Sequence, residues 1–387
     1  MTVASKEQYR EKAYAELKHK ANILVYGISA DDATAERTGA GSTVKEGSFH
    51  RLGNAKLPVS FDTPMGLTVA IRKEEDSLYS LRYDESAESF FVERNGDVVF
   101  ERVTFPPRPA FYKALTTDGK EMKQLVSIME TGCASVWFTN ECAFKEAGKG
   151  CLFCAISYTP GTAFLKTPEQ IAECVKAAFD EGVAQRVDFS GGVIEGRREI
   201  DYYADAMRAI RAALGDREFP AAACIAAPRD LANITLLKEA GFTVITMNKE
   251  VWDENIFKTI CPGKATAVGH GNWIKALEFA AETFGFSHVR CNFVTGLEPK
   301  FKTIEGIKRL SAIGVVPNPN IFDPVRGTPL EGMRCPTPEW NLDLHEQTCD
   351  ILRADGHRFE DVLNCHPISS ALYHDFWRIK EDLLWTI

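Results

Sequence analysis

Four cysteines fall within twenty-two residues, Cys133, Cys142, Cys151 and Cys154, in the segment METGCASVWFTNECAFKEAGKGCLFC. Cys151 and Cys154 form a C-x-x-C pair, and Cys142 stands nine residues before it. Three thiolates on one glycine-bearing loop can hold three irons of a 4Fe-4S cube and leave the fourth open, which is what a catalytic cluster needs. Tetrahedral zinc would ask for a second ligand pair at short spacing, and the nearest candidates, Cys365 and His366, are distant and adjacent to one another. A redox C-x-x-C would open a helix after the first strand of a far smaller fold. Thiols that only fill space belong in a core rather than in a polar loop. Iron-sulfur ligation is the reading these spacings support best.

Such a loop has to hang from a strand end. Beyond residue 115 the apolar runs QLVSIM (124–129), RVDFS (186–190), AAACIA (221–226), TVITM (243–247), VRCNFV (289–294) and VVPNPNIF (315–322) alternate with helical stretches, the pattern of βα units and a parallel sheet. Thr167-Pro168 and Thr337-Pro338 mark two helix starts, with Thr as cap and Pro where no amide hydrogen is needed. The six runs predict an α/β fold, a partial or complete (β/α) TIM-type barrel over residues 116–355, with its chemistry at the C-terminal strand ends and the cysteine segment after the first strand. Residues 1–115 read as a small α+β module. It opens with a helix from Ser5 to about Val25, with Ser5 and Gln8 as a capping pair, and a polar stretch Ala30 to Gly53 follows. Its strands are LTVAIRK, SLYSLRYD, SFFVER and DVVFERV, the last two joined at Asn95-Gly96, and FPPRP (105–109) ends it. Residues 356–387 are expected as a C-terminal tail closing the barrel.

Composition narrows the class. The chain has 387 residues, 45% hydrophobic and 26% charged, so it is neither disordered nor membrane-spanning. A net charge of -9 argues against nucleic acid and anionic membranes as partners. The charged N-terminal segment carries no apolar signal core, so a cytoplasmic location is expected. Disulfides do not persist there, and eleven cysteines then divide between metal ligands and small buried hydrophobes.

The cysteine motif after a barrel strand, with Phe153 before its last cysteine, resembles that of the radical S-adenosylmethionine (SAM) superfamily. The usual motif there is C-x3-C-x2-C, whereas this chain has C-x8-C-x2-C from Cys142, with Cys133 as the competing first ligand. Within that superfamily the biotin synthase and lipoyl synthase branch is the most similar. The resemblance implies that Ser190, Gly191 and Gly192 bind the SAM amino group, that Asn248 and Glu250 contact its ribose and carboxylate, and that Gly296 and Glu298 lie at its adenine. Outside the resemblance, Asn248 and Glu250 read equally as helix caps. The implied chemistry is reductive cleavage of SAM to a 5′-deoxyadenosyl radical that abstracts hydrogen from an unactivated carbon. The implied partners are a small-molecule or carrier-bound substrate and an electron donor such as ferredoxin or flavodoxin.

Cys224 and Cys291, within the third and fifth runs, resemble the strand cysteines that hold a second, sacrificial iron-sulfur cluster in biotin synthase, which would make sulfur insertion the outcome. Cys261, Cys335 and Cys365, with Ser369 and Ser370, are candidates to complete it, and all of these cysteines also suit a core. Cys174 and Cys349 read as structural, and Trp137, Phe138 and Trp273 as packing. His270 and His366 are candidates to touch substrate, with an ordinary loop role as the alternative. Asp323 and Arg326, at the last strand end, are the residues expected to orient a polar substrate, with a local ion pair as the alternative. The rival functions are a single-cluster radical SAM enzyme performing rearrangement, methylation or carbon-carbon chemistry, and a non-catalytic iron-sulfur or zinc protein.

Overall fold

The computed structural model describes residues 3–39, 57–129, 132–139, 141–156, 165–194, 197–363 and 369–383. The chain begins with α1 (Val3–Tyr26), whose four-residue spacing buries Ala13, Leu17 and Ala21. Ser5 lies within its first turn rather than ahead of it, so Ser5 does not sit at the cap position expected from sequence. After α2 (Asp32–Arg37) come the antiparallel pair β1 (Ser60–Asp62) and β2 (Thr68–Ala70), then the three-stranded sheet β3 (Tyr79–Asp84), β4 (Ser89–Arg94) and β5 (Asp97–Val103). Asn95 and Gly96 make the β4–β5 turn with φ +52° and +92°, the left-handed pair that a two-residue hairpin requires. The polar stretch noted in the sequence lies outside the described residues over 40–56.

The main sheet has seven strands, ordered β12-β11-β10-β9-β8-β7-β6. β6 (Val126–Met129), expected as the first parallel strand, is an antiparallel edge strand paired with β7 (Cys133–Trp137). The parallel series therefore starts within the segment read as loop. CASVW is short and buried on both faces, so it carries no alternation to betray it.

From β7 the chain alternates. It runs α3 (Ala143–Glu146), α4 (Pro168–Asp180), β8 (Arg186–Ser190), α5 (Arg197–Leu214), β9 (Ala221–Cys224), α6 (Ala232–Glu239), β10 (Val244–Thr246), α7 (Glu254–Ile260), α8 (Pro262–Ala267), α9 (His270–Phe284), β11 (Val289–Thr295), α10 (Lys300–Ser311) and β12 (Val315–Ile321). Strands β7 to β12 pair in parallel and in order, the arrangement of a partial TIM-type barrel. Thr167 caps α4 with a reciprocal capping box through Gln170, and Thr337 caps the next helix, α11 (Pro338–Ala354).

Two short helices, α12 (Phe359–Leu363) and α13 (Tyr373–Lys380), complete the described chain. They share an apolar core with α1, α11 and Val316 of β12, so the two chain ends pack together on the barrel. The Lys20 Nζ to Asp375 Oδ2 ion pair, 2.7 Å long and wholly buried, pins them. A buried pair of this kind fixes geometry more than it adds stability. No helix among the described residues is long and apolar enough to cross a membrane.

Candidate functional site

A cavity of about 530 Å³ is lined by inward side chains of the sheet, by the loops at its C-terminal edge and by the N-terminal module. Cys142, Cys151, Phe153 and Cys154 all line it. The long spacer between the first two cysteines is one helical turn, α3, followed by a turn at Gly148 with φ +69°. Backbone bonds fix the loop at three points: Ala143 N donates to Val193 O (2.9 Å), Leu152 N to Ile260 O (2.9 Å) and Gly263 N to Lys149 O (2.8 Å). A Cβ on Gly192 would overlap the Glu141 carbonyl oxygen and crowd Cys142, so glycine there permits the loop to lie against the end of β8.

Burial pushes the Cys154 thiol up to about 12, against a hydrogen bond from the Ile156 amide, with Cys151 and Cys142 pushing the same way as burial. Cys151 is held below the usual thiol range by the Cys261 thiol, which donates to it. Mutual influence among these cysteines is what a group of ligands around one wall should show. Among the described residues no three His, Cys, Asp or Glu side chains close on one point as a single ion would require. A cube asks for one thiolate on each of three irons, and the three loop cysteines fit that donor set. Cys133, the competing first ligand, also lines the cavity, from the other end of β7.

Ser190, Gly191, Gly192, Asn248 and Glu250 also line the cavity. Glu250 holds a left-handed backbone (φ +70°), uncommon for a residue with a side chain, and its Oε1 accepts from Lys264 Nζ at 2.6 Å. Burial opposes the charge on Lys264, yet Glu250 and the thiols of Cys151 and Cys261 hold it above the usual lysine range. Asn248 Nδ2 donates to Cys224 Sγ (3.6 Å), while its Oδ1 accepts from Asn292 N (3.3 Å).

Other expected site residues stand elsewhere. Gly296, with φ +88°, packs on Pro336, and Glu298 accepts from the Trp252 and Asp253 amides (2.8 Å each) and from Thr303 (3.0 Å); neither lines the cavity. Glu298 thus braces the turn after β10. Asp323 reaches the cavity but accepts from Arg72 Nη1 (2.9 Å), an N-terminal residue the sequence reading missed. Arg326, expected to orient substrate beside Asp323, is exposed on a turn outside the lining, and Asp323 pairs with Arg72 rather than making the alternative local ion pair. His270 bonds the Trp252 carbonyl (2.8 Å), also outside the lining. His366 and Cys365 lie outside the described residues.

The two strand cysteines are separated. Cys224 faces the cavity, but Cys291 is fully buried on the outer face of β11, where its sulfur accepts from Lys249 N (3.3 Å). Its neighbour Asn292 points inward, so the pleat turns Cys291 away. Burial raises both thiols to about 12. Cys335 lies beside Arg72 and Asp323 outside the lining, Cys261 is buried behind Cys151, and Cys174 and Cys349 are core residues. Phe138 and Trp273 are core as well, whereas Trp137 lines the cavity.

Residues 138–299 match the model of the radical SAM superfamily. The bacteriochlorophyllide c C-7(1)-hydroxylase of Chlorobaculum limnaeum is 24% identical over 264 residues, covering 63% of this chain and 65% of that protein, so the match spans under two thirds of the relative's length. Among solved structures, methylornithine synthase (PylB) aligns with a TM-score of 0.45 at 15% identity, over 66% of this chain and 71% of its own. The radical S-adenosylmethionine methyltransferase TsrM from Kitasatospora setae aligns with a TM-score of 0.41 at 11% identity, over 79% and 77%. The matched span takes in the cysteine loop and strands β8 to β11, so that part of the chain is similar to the radical SAM superfamily's domain.

Proposed function

We propose that this enzyme cleaves SAM reductively at a 4Fe-4S cluster held by Cys142, Cys151 and Cys154, and uses the product to remove hydrogen from an unactivated carbon of a substrate in the cavity. The observation that carries this is the placement of all three thiols on the wall of one cavity, together with the Ser190-Gly191-Gly192 turn and Asn248. When bound, the cluster supplies the electron and SAM the 5′-deoxyadenosyl radical; the protein supplies position and exclusion of water. Gly191 and Gly192 let Phe138 and the Glu141 backbone pack against the end of β8, which sets the cysteine loop beside the cavity. The Glu250–Lys264 pair presents one buried charge of each sign to the polar part of SAM. An external reductant such as ferredoxin or flavodoxin and a small-molecule or carrier-bound substrate complete the reaction.

The hydroxylase relative is named for a change at carbon, which agrees with hydrogen removal as the reaction class. Sulfur insertion in the biotin synthase and lipoyl synthase manner draws no support from Cys224 and Cys291, because they face opposite sides of the sheet. Iron counting in Cys224→Ala/Cys291→Ala tests that point: an unchanged count is expected, and a loss of a second cluster's iron would restore the sulfur-insertion reading.

The test of the main reading is anaerobic reconstitution with iron and sulfide, reduction, and measurement of 5′-deoxyadenosine from SAM. Cleavage is expected from the native chain, with Cys151→Ala and Cys154→Ala at background and reduced in bound iron. Cleavage retained in either variant would overturn the ligand assignment. Its absence from fully iron-loaded native protein would leave a non-catalytic iron-sulfur protein.

A further inference from the structure

Among the described residues four carboxyl side chains line the cavity, and three of them are matched within the protein. Glu250 accepts from Lys264 Nζ (2.6 Å) and Asp323 from Arg72 Nη1 (2.9 Å). Glu199 accepts from the backbone amides of Ile194 and Ala226. The inward carboxamides are matched too, since Asn292, Asn318 and Asn320 bond one another in a ladder (2.8 and 3.0 Å). Asp188 is the exception. Among the described residues it makes no hydrogen bond and no ion pair. Arg290 stands on β11, three strands away, and Arg186 donates to the Leu363 carbonyl (2.8 Å), so both act on Asp188 only through space.

Asp188 is also within reach of a ligand. It points inward from the middle of β8, and its accessible surface opens into the cavity. Its two carboxyl oxygens are equivalent acceptors when ionised. A charged carboxylate without a partner is costly in such an interior, and burial raises this one to about 7. A cation bound beside it would restore the charged form and supply the missing partner. Ser135 is its cross-strand neighbour, and the next pair along the same wall is Trp137 with Ser190. An indole and a carboxyl on one wall of a cavity suit an organic cation.

We infer that Asp188 anchors the substrate, and that the substrate is an organic cation of the primary-amine class whose ammonium group donates to the Asp188 carboxylate. The inference rests on the cavity being the substrate chamber. Asp188 lies two residues, about 7 Å along the strand, from the Ser190 turn read as the SAM site. The carbon that loses hydrogen therefore lies within a few bonds of the amine.

The probes are 4-fluorobenzylamine and 4-fluorobenzyl alcohol, which share one body and differ in the charged head. Their affinities are read by fluorine relaxation on the oxidised, iron-loaded protein with SAM bound, so that neither probe takes the place of SAM. The amine is expected to bind about tenfold more tightly than the alcohol, and Asp188→Asn, checked for folding by circular dichroism, is expected to erase that preference. An amine that binds no better than the alcohol, or fails to bind, would overturn the inference. So would a preference that survives Asp188→Asn, which would trace it to the acidic chain as a whole. Weaker SAM binding by the variant would assign Asp188 to SAM and overturn its role as substrate anchor. A native chain that prefers the amine but does not cleave SAM would keep this binding site and overturn the proposed activity instead. Cleavage of SAM without amine preference would do the reverse.

Discussion

The two faces of the main sheet obey different rules. On β11, Cys291 and Phe293 point outward into an apolar core with the surrounding helices, while Arg290, Asn292 and Val294 point into the cavity. On β8, Val187 and Phe189 face that core while Asp188 and Ser190 face inward. The outward residues are apolar and pack, whereas most of the inward ones are polar and face the cavity. Side chains one residue apart therefore carry different consequences, and substitutions on the two faces should fail in different ways.

The largest effect is expected on the outer face. Phe293, at zero exposure, should cost about 3–5 kcal/mol of stability when changed to Ala, read from denaturant unfolding. A loss below about 1 kcal/mol would show that the outer packing is looser than the structure has it. At the rim between the faces, Gly192→Ala should cost about 1–3 kcal/mol, because its methyl must displace the Glu141 and Cys142 backbone. It should also lower both bound iron and SAM cleavage, and a variant that keeps full iron would mean the cysteine loop tolerates that displacement.

A smaller effect is expected inside. Burial raises Asp188 from 3.8 to about 7, against Arg290 and Arg186. Between those values the native residue keeps a proton that the unfolded chain has lost, so its contribution to stability falls as pH rises through that window. Glu199, raised by burial to about 8, adds the same trend to native and variant alike. Asp188→Asn should therefore melt above the native protein near about pH 8, with the gap closing toward about pH 4. A gap independent of pH would place Asp188 outside a low-dielectric interior. The smallest effect belongs to exposed Arg326, off both faces: Arg326→Ala should shift stability by less than about 0.5 kcal/mol and leave SAM cleavage intact. A marked fall in cleavage would return it to the substrate site.

Much of the fold was legible because the signals are local. Five of the six parallel strands, β8 to β12, follow the apolar runs, and Thr-Pro pairs cap the two helices expected. β7 escaped notice because it is buried on both faces, and its neighbour β6 was taken for the first parallel strand, since a single strand does not reveal its partner's direction. The site divides likewise. Cys142, Cys151 and Cys154 sit close together in sequence, and their loop was readable. Cys224 and Cys291 are 67 residues apart, and whether they meet depends on register and pleat. Glu298 was read by its motif, but the amides of Trp252 and Asp253 take up its carboxylate.

By itself, then, the sequence determined the order of βα units, the cysteine loop and the chemistry that loop supports, since these depend on residue types within short spans. Only the tertiary structure decided which face of each strand meets the cavity, that Asn292, Asn318 and Asn320 form one ladder, and that Pro58, Val59 and Ala70 from the first seventy residues close the chamber. Those contacts join residues up to hundreds of positions apart, and they exist only once sheet register and packing bring them together.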